Sequence, residues 1–219
     1  LQQLDTDELD NLVESGLARQ ADSTTYDVHD LIREFLLRSL SPALKEEFHA
    51  KCMEWYEKQS PSNEVAIELI YHAIQSNQFE TASEIIMDKG RHLVSQGHME
   101  LLGLLERIDT SDLESKTVVL LGQLQGDILA LLGRLATAEE VLNKALEGAK
   151  AANNPSIEAE ILSSLADVSR KQGNSDVALS RHKEALKHYI SQSNAKWAAR
   201  TYNNIGYLLR RKNERSKAL

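Results

Sequence analysis

The chain has 219 residues, 42% hydrophobic and 26% charged, and a formal net charge of −8 at pH 7. That acidic balance excludes general affinity for nucleic acid, which needs a lysine- and arginine-rich surface to displace counterions. One cysteine, Cys52, excludes an internal disulfide, and no apolar run reaches the roughly 18 residues of a membrane span, so a cytoplasmic location is expected.

From the N-terminus, Leu9, Leu12 and Val13 predict one amphipathic turn closed by Gly16. Residues 17–20 and 25–28 flank a polar turn and predict a short β-hairpin. A helix follows with Leu31, Ile32, Phe35, Leu36 and Leu40 inward. The order helix, hairpin, helix over residues 1–40 resembles the end of a winged helix. Nine acidic residues there against Arg19, Arg33 and Arg38 oppose docking on a duplex.

Residues 41–110 predict an irregular helical-repeat region. Ser41-Pro42 reads as N-cap and first-turn proline of a helix whose inner face is Leu44, Phe48, Cys52 and Trp55, ended by Ser60-Pro61. Ser62 caps the next helix, which carries Val65, Ala66, Leu69, Ile70 and Ala73 up to a stop at Asn77. Further helices run through Ala82, Ile85 and Ile86, then Leu93, then Leu101 to Leu105, with Gly90 and Gly97 as breaks.

Residues 111–219 carry a repeat of 40. Gly126, Ala166 and Gly206 share one phase; Gly133, Gly173 and Asn213 share another; Ala138, Ala178 and Ala218, then Ala145 and Ala185, keep the register. Small residues let two helices approach, and Gly or Asn between them can take the left-handed conformation that ends a helix. Each unit is therefore helix, turn, helix, and a single unit cannot bury its apolar stripe alone. The set Leu165-Ala166, Gly173, Ala178 and Ala185 resembles the tetratricopeptide repeat. A period longer than the usual 34 or so implies longer helices or longer links. The expected fold is all-α, a right-handed α-α superhelix of tetratricopeptide-like hairpins with a truncated last repeat, preceded by the winged-helix-like segment.

A second resemblance spans the chain. The run from Gly16 to Leu40, the segment from Phe48 to Gln59 and the segment from Ala66 to Ile108 are similar to the region after the ATPase core of STAND signal-transduction ATPases, most of all their maltose-regulon-activator branch. The resemblance implies a sensor arm that holds an upstream core inactive until an inducer or a protein engages the superhelix. Val28-His29-Asp30 matches the class's Met-His-Asp-like motif, so it implies that His29 contacts nucleotide diphosphate together with a core lying before Leu1. The other reading of His29-Asp30 is a plain helix cap, and the two are compatible. ATP or ADP would belong to that core and not to this chain, which starts at Leu1 and stops within a helical pattern, as a fragment would.

No Gly-rich loop ending in Gly-Lys-Ser/Thr is present, no His or Cys pairs have zinc spacing, and no nucleophile, base and orienting group can be assembled. A non-catalytic chain without a metal is expected, with Cys52 as a structural thiol. In stacked hairpins the first helix of each unit lines the concave face. Gln123 and Asp127, then Ser163, Asp167, Arg170 and Lys171, then Asn203, Tyr207, Arg210 and Arg211 are the expected groove residues. They would hold a protein, a peptide or a small polar inducer, and self-association is left open. A stand-alone tetratricopeptide scaffold is the alternative to the ATPase arm.

Overall fold

The computed structural model describes residues 11–20, 26–28 and 38–218. His29, Asp30 and the inward residues 31–36 of the expected winged-helix helix lie outside them. The polypeptide forms two compact units, residues 1–78 and 79–219.

In the first unit, residues 11–14 make a helical turn that Gly16 closes at φ 72°, the Leu17 amide donating back to the Leu12 carbonyl. Strand β1 (Ala18–Gln20) pairs antiparallel with β2 (Tyr26–Val28), Arg19 opposite Asp27. Helix α1 (Pro42–Tyr56) and α2 (Asn63–Gln75) begin as expected: the Ser41 and Ser62 hydroxyls accept from the Leu44 and Val65 amides, and Pro42 occupies the first turn of α1.

The inner face of α1 differs from the expected one. Leu44, Phe48 and Trp55 are exposed, Trp55 by 54%, whereas Met53 is buried and His49, Cys52 and Tyr56 are half-buried. The helix is turned by about one residue, so that the rings of His49 and Tyr56, with Met53, make the contact to α2. His49 Nδ1 lies 2.8 Å from His72 Nδ1, and the Tyr56 ring stacks on His72 at 5.5 Å. Of the expected four only Cys52 faces inward, and burial pushes its thiol pKa up, against thiolate chemistry.

The second unit is a run of helices joined by tight turns. Helix α3 (Phe79–Ser95) passes through Gly90 without interruption, so Gly90 is no break. It marks a close approach: a Cβ there would stand 2.7 Å from Leu124 Cδ2. Helix α4 (Leu101–Leu105) is a short, four-leucine plug, all four buried. Then come α5 (Ser115–Leu131), α6 (Leu135–Ala151), α7 (Pro155–Lys171), α8 (Ser175–Ser191) and α9 (Ala195–Ala218). Helices α5 to α8 have 17 residues each and are linked by three, so the long period comes from long helices.

One device ends these helices. Gly133, Asn153, Gly173 and Ser193, twenty apart, have φ of 78°, 49°, 90° and 55°. The following amide of each reaches back five residues, as in Arg134 to Leu129 and Asn174 to Ser169. Asn154 then caps α7, its Oδ1 accepting from the Ile157 amide. Asn213 does not share this role, for α9 continues through it to Ala218. Asparagine tolerates the left-handed region but does not impose it, and Arg210, Arg211, Lys212 and Glu214 are helix formers. The expected second helix of the third copy is therefore one long helix with the first.

Hairpins α5–α6 and α7–α8 pack as the small residues require. Ala138, Ala178 and Ala185 are wholly buried, and Ala145 nearly so. A Cβ on Gly126 would meet Leu142 Cγ at 2.5 Å, while one on Gly206, its counterpart in α9, would meet nothing within 4 Å. The molecule is all-α, its helical repeats carrying nearly all the regular structure among the described residues.

Candidate functional site: a polar groove on α5, α7 and α9

The first helices of successive hairpins line a cavity of about 410 Å³. Helix α7 lies in its middle and offers Ser163, Ser164, Asp167, Arg170 and Lys171; α5 contributes Gln123 and Asp127. All six residues expected on those two helices line it. On α9 the expectation fails: Trp197, Arg200, Thr201 and Asn204 line the cavity, and Asn203, Tyr207, Arg210 and Arg211 do not.

The reason is geometric. Helix α7 shows both flanks to the cavity, whereas α9 borders it and shows only the flank turned to α7. At about 100° per residue, Asn203, Tyr207 and Arg210 lie on the neighbouring flank, and Arg211 lies two turns past the end of the cavity. Carrying Glu160 and Ser164 forward by 40 gives Arg200 and Asn204, so the repeat held the signal. Arg91 of α3 also lines the site. Nothing in its local sequence marks it, since it enters from outside the regular repeats.

The charges are mostly matched in place. Arg91 pairs with Glu160 at 2.6 Å, and Arg170 reaches Asp167 one turn back at 3.3 Å. Lys171 Nζ donates to the Ala130 carbonyl at 2.6 Å, in the last turn of α5, where the helix dipole favours a cation. Arg200 stands over the Trp197 ring, 5.0 Å from its centre, and has no carboxylate or carbonyl partner among the described residues. Trp197 stacks in turn on Tyr189, whose hydroxyl lies 3.3 Å from Ser163 Oγ. Burial pushes the Asp127 carboxyl pKa up, opposed by a hydrogen bond from Ser164 and by Arg91.

Beneath the floor, His182 of α8 is wholly buried, and neither ring nitrogen has a hydrogen-bond partner. Burial holds its pKa below the ordinary value; Asp167, Arg170 and Arg200 act on it from α7 and α9. Beside it, Arg181 of α8 donates to the Ser169 hydroxyl, the Leu165 carbonyl and Glu139 of α6, at 2.8 Å for the last. Gln172 donates to the other Glu139 oxygen at 3.0 Å. The two partners hold the Glu139 carboxyl below its usual range, Gln172 foremost. This network ties α6, α7 and α8 and fixes the helix that carries the middle of the groove.

Among the described residues, no three His, Cys, Asp or Glu side chains converge as a metal site, and no helix is long and apolar enough to cross a membrane. The groove offers ion pairs, amides, hydroxyls and one capped aromatic ring, a set suited to recognition.

Residues 117–191 match the family model of the tetratricopeptide repeat. Among solved structures, the chain is similar to BtubC (BKLC) from P. vanneervenii, with a TM-score of 0.45 and 15% identity over 78% of this chain. The alignment spans 66% of that protein's length. No curated protein matches the chain. Residues 117–191 are thus similar to tetratricopeptide repeats, helical hairpins that serve generally as scaffolds for binding proteins or peptides.

Proposed function

We propose that the chain is a recognition scaffold whose α5–α7–α9 groove holds an extended segment of a partner protein, with an acidic side chain of that segment pairing with Arg200. One observation carries this reading. Among the described residues, Arg200 is the lining cation left without an oxygen partner, while Arg91, Arg170 and Lys171 are all engaged. A guanidinium pre-oriented over an indole offers its free edge to a carboxylate at little entropic cost. The half-buried amide of Asn204 and hydroxyl of Ser164 border the same groove and can take main-chain groups of such a segment.

The test is a peptide array read by fluorescence anisotropy. Acidic peptides are expected to bind, Arg200→Glu to weaken them at least tenfold, and Arg210→Glu, on the neighbouring flank, to leave affinity within twofold. Equal loss in both variants would reduce the effect to net charge and remove the reading.

A more specific role, the sensor arm of a STAND ATPase responding to a protein or small-molecule inducer, rests on the sequence resemblance. On its side stands the hairpin Ala18–Gln20 with Tyr26–Val28, at the expected place before the superhelix. It requires that the intact gene product bind ADP through an upstream P-loop core and that His29→Ala weaken that binding.

A further inference from the structure

The repeat fixes where each helix should lie, and at one place a helix is missing. In the regular stack, α6 covers the hairpin that follows it. Leu146 packs against the buried cluster that Ala159 and Leu162 of α7 form with Ala185, Leu186 and Tyr189 of α8 and Ala198 of α9, while Glu139 pairs with Arg181. Under that cover Leu162 is 3% exposed and Leu165 not at all. Forty residues earlier, α4 should cover α5–α6 in the same way. It stops at Leu105, and residues 106–114 leave the helical path. The positions matching Leu162, Leu165 and Arg181 are Gly122, Gln125 and Val141, each only half-buried.

What remains is a cavity of about 920 Å³ between the 106–114 segment, the first half of α5 and the second half of α6. Two turns of a helix about 10 Å wide have roughly that volume. Its walls fit such a guest. Val118 and Val141 supply apolar contact, and Lys144, exposed at the rim, has no ion-pair partner among the described residues; Gly122 and Gly148 serve the α5–α6 contact itself, where added Cβ atoms would meet Ala145 and Val119.

We infer that this berth docks an amphipathic α-helix from a partner protein. The guest presents a leucine-sized side chain and, on the same face, a carboxylate that meets Lys144. Its chemistry is read from α6, the helix that fills the equivalent place one repeat on with Glu139 and Leu146. A helix, whose backbone groups are paired within itself, suits a trough with apolar walls better than an extended strand, which would leave its backbone groups unmatched there. The berth is separate from the polar groove, and this inference does not rest on the reading of Arg200.

A fluorescein-labelled peptide with the sequence of α6, residues 135–151, is the probe, titrated with the whole chain and followed by anisotropy. Saturable binding is expected, weakened at least tenfold by Val118→Glu and by Lys144→Glu. It should be unchanged in Val177→Glu, an exposed apolar site on α8 outside the berth, and in Arg200→Glu. If circular dichroism shows Val118→Glu unfolded, the exposed Lys144→Glu decides alone. Absence of saturable binding, or equal binding to Lys144→Glu, overturns the inference. So does a dimer in sedimentation that Lys144→Glu dissolves, for the occupant would then be a second copy.

Discussion

Two glycines at equivalent positions of the repeat should respond oppositely to one methyl group. At Gly126 the added Cβ would press on Leu142, itself wholly buried, and the helix pair would have to part. At Gly206 the methyl meets open space and gains helix propensity. Urea unfolding should find Gly126→Ala less stable by about 1–3 kcal/mol and Gly206→Ala more stable by about 0.5–1 kcal/mol. A loss at both positions would refute this account of α9. His182 gives a second residue-level expectation. Its pKa is depressed in the folded state, so the unfolded chain binds the extra proton more readily, and stability is complete above the ordinary 6.5 and falls as pH drops below it. The opposing pull of Asp167 and the push of Arg170 and Arg200 act on the same ring from α7 and α9. His182→Leu removes two unpartnered buried nitrogens and should flatten the melting-temperature profile between pH 5 and about 7. A slope identical to that of the parent chain would clear His182 of any part in it.

At the scale of elements, what was legible in the sequence followed from where physics acts locally. Ser41, Ser62 and Pro42 mark helix starts because a hydroxyl or a missing amide settles the first turn regardless of what lies around it. Gly133 and Gly173 mark ends for the same reason, and their spacing gave the repeat. Where the outcome depended on a distant partner, sequence misled. Gly90 looks like a break but lets α3 pass close to α5; Phe48 and Trp55 look like core, but His49 and Tyr56 meet the rings of α2 instead. Asn153 and Ser193 end helices with no glycine to announce them, and only the 20-residue metre could have pointed to them. In the groove, the residues expected on α5 and α7 line one cavity, because the 40-residue register puts them on the same face of successive first helices. The lining of α9 was missed because a helix at the border turns only one flank inward.

The second unit as a whole is held by contacts between neighbours along the chain, with the Glu139–Arg181–Gln172 network at its centre. Protection against solvent exchange should therefore be graded by position. Amides of α7, covered by α6, α8 and α9, should exchange most slowly, and those of α9 beyond Tyr207 fastest. Hydrogen exchange followed by mass spectrometry resolves the two, and uniform protection from α5 to α9 would mean that the unit behaves as one cooperative block.

The even metre of the turns has a mechanical corollary. With four helices of equal length and links of three residues, a load applied along the chain finds the same lever arm at every bend. Peeling one hairpin frees 40 residues, or about 130–140 Å of contour at the extended rise per residue. A force trace of this unit would then show a ladder of rungs at that spacing, in the manner of a pleated strap let out fold by fold.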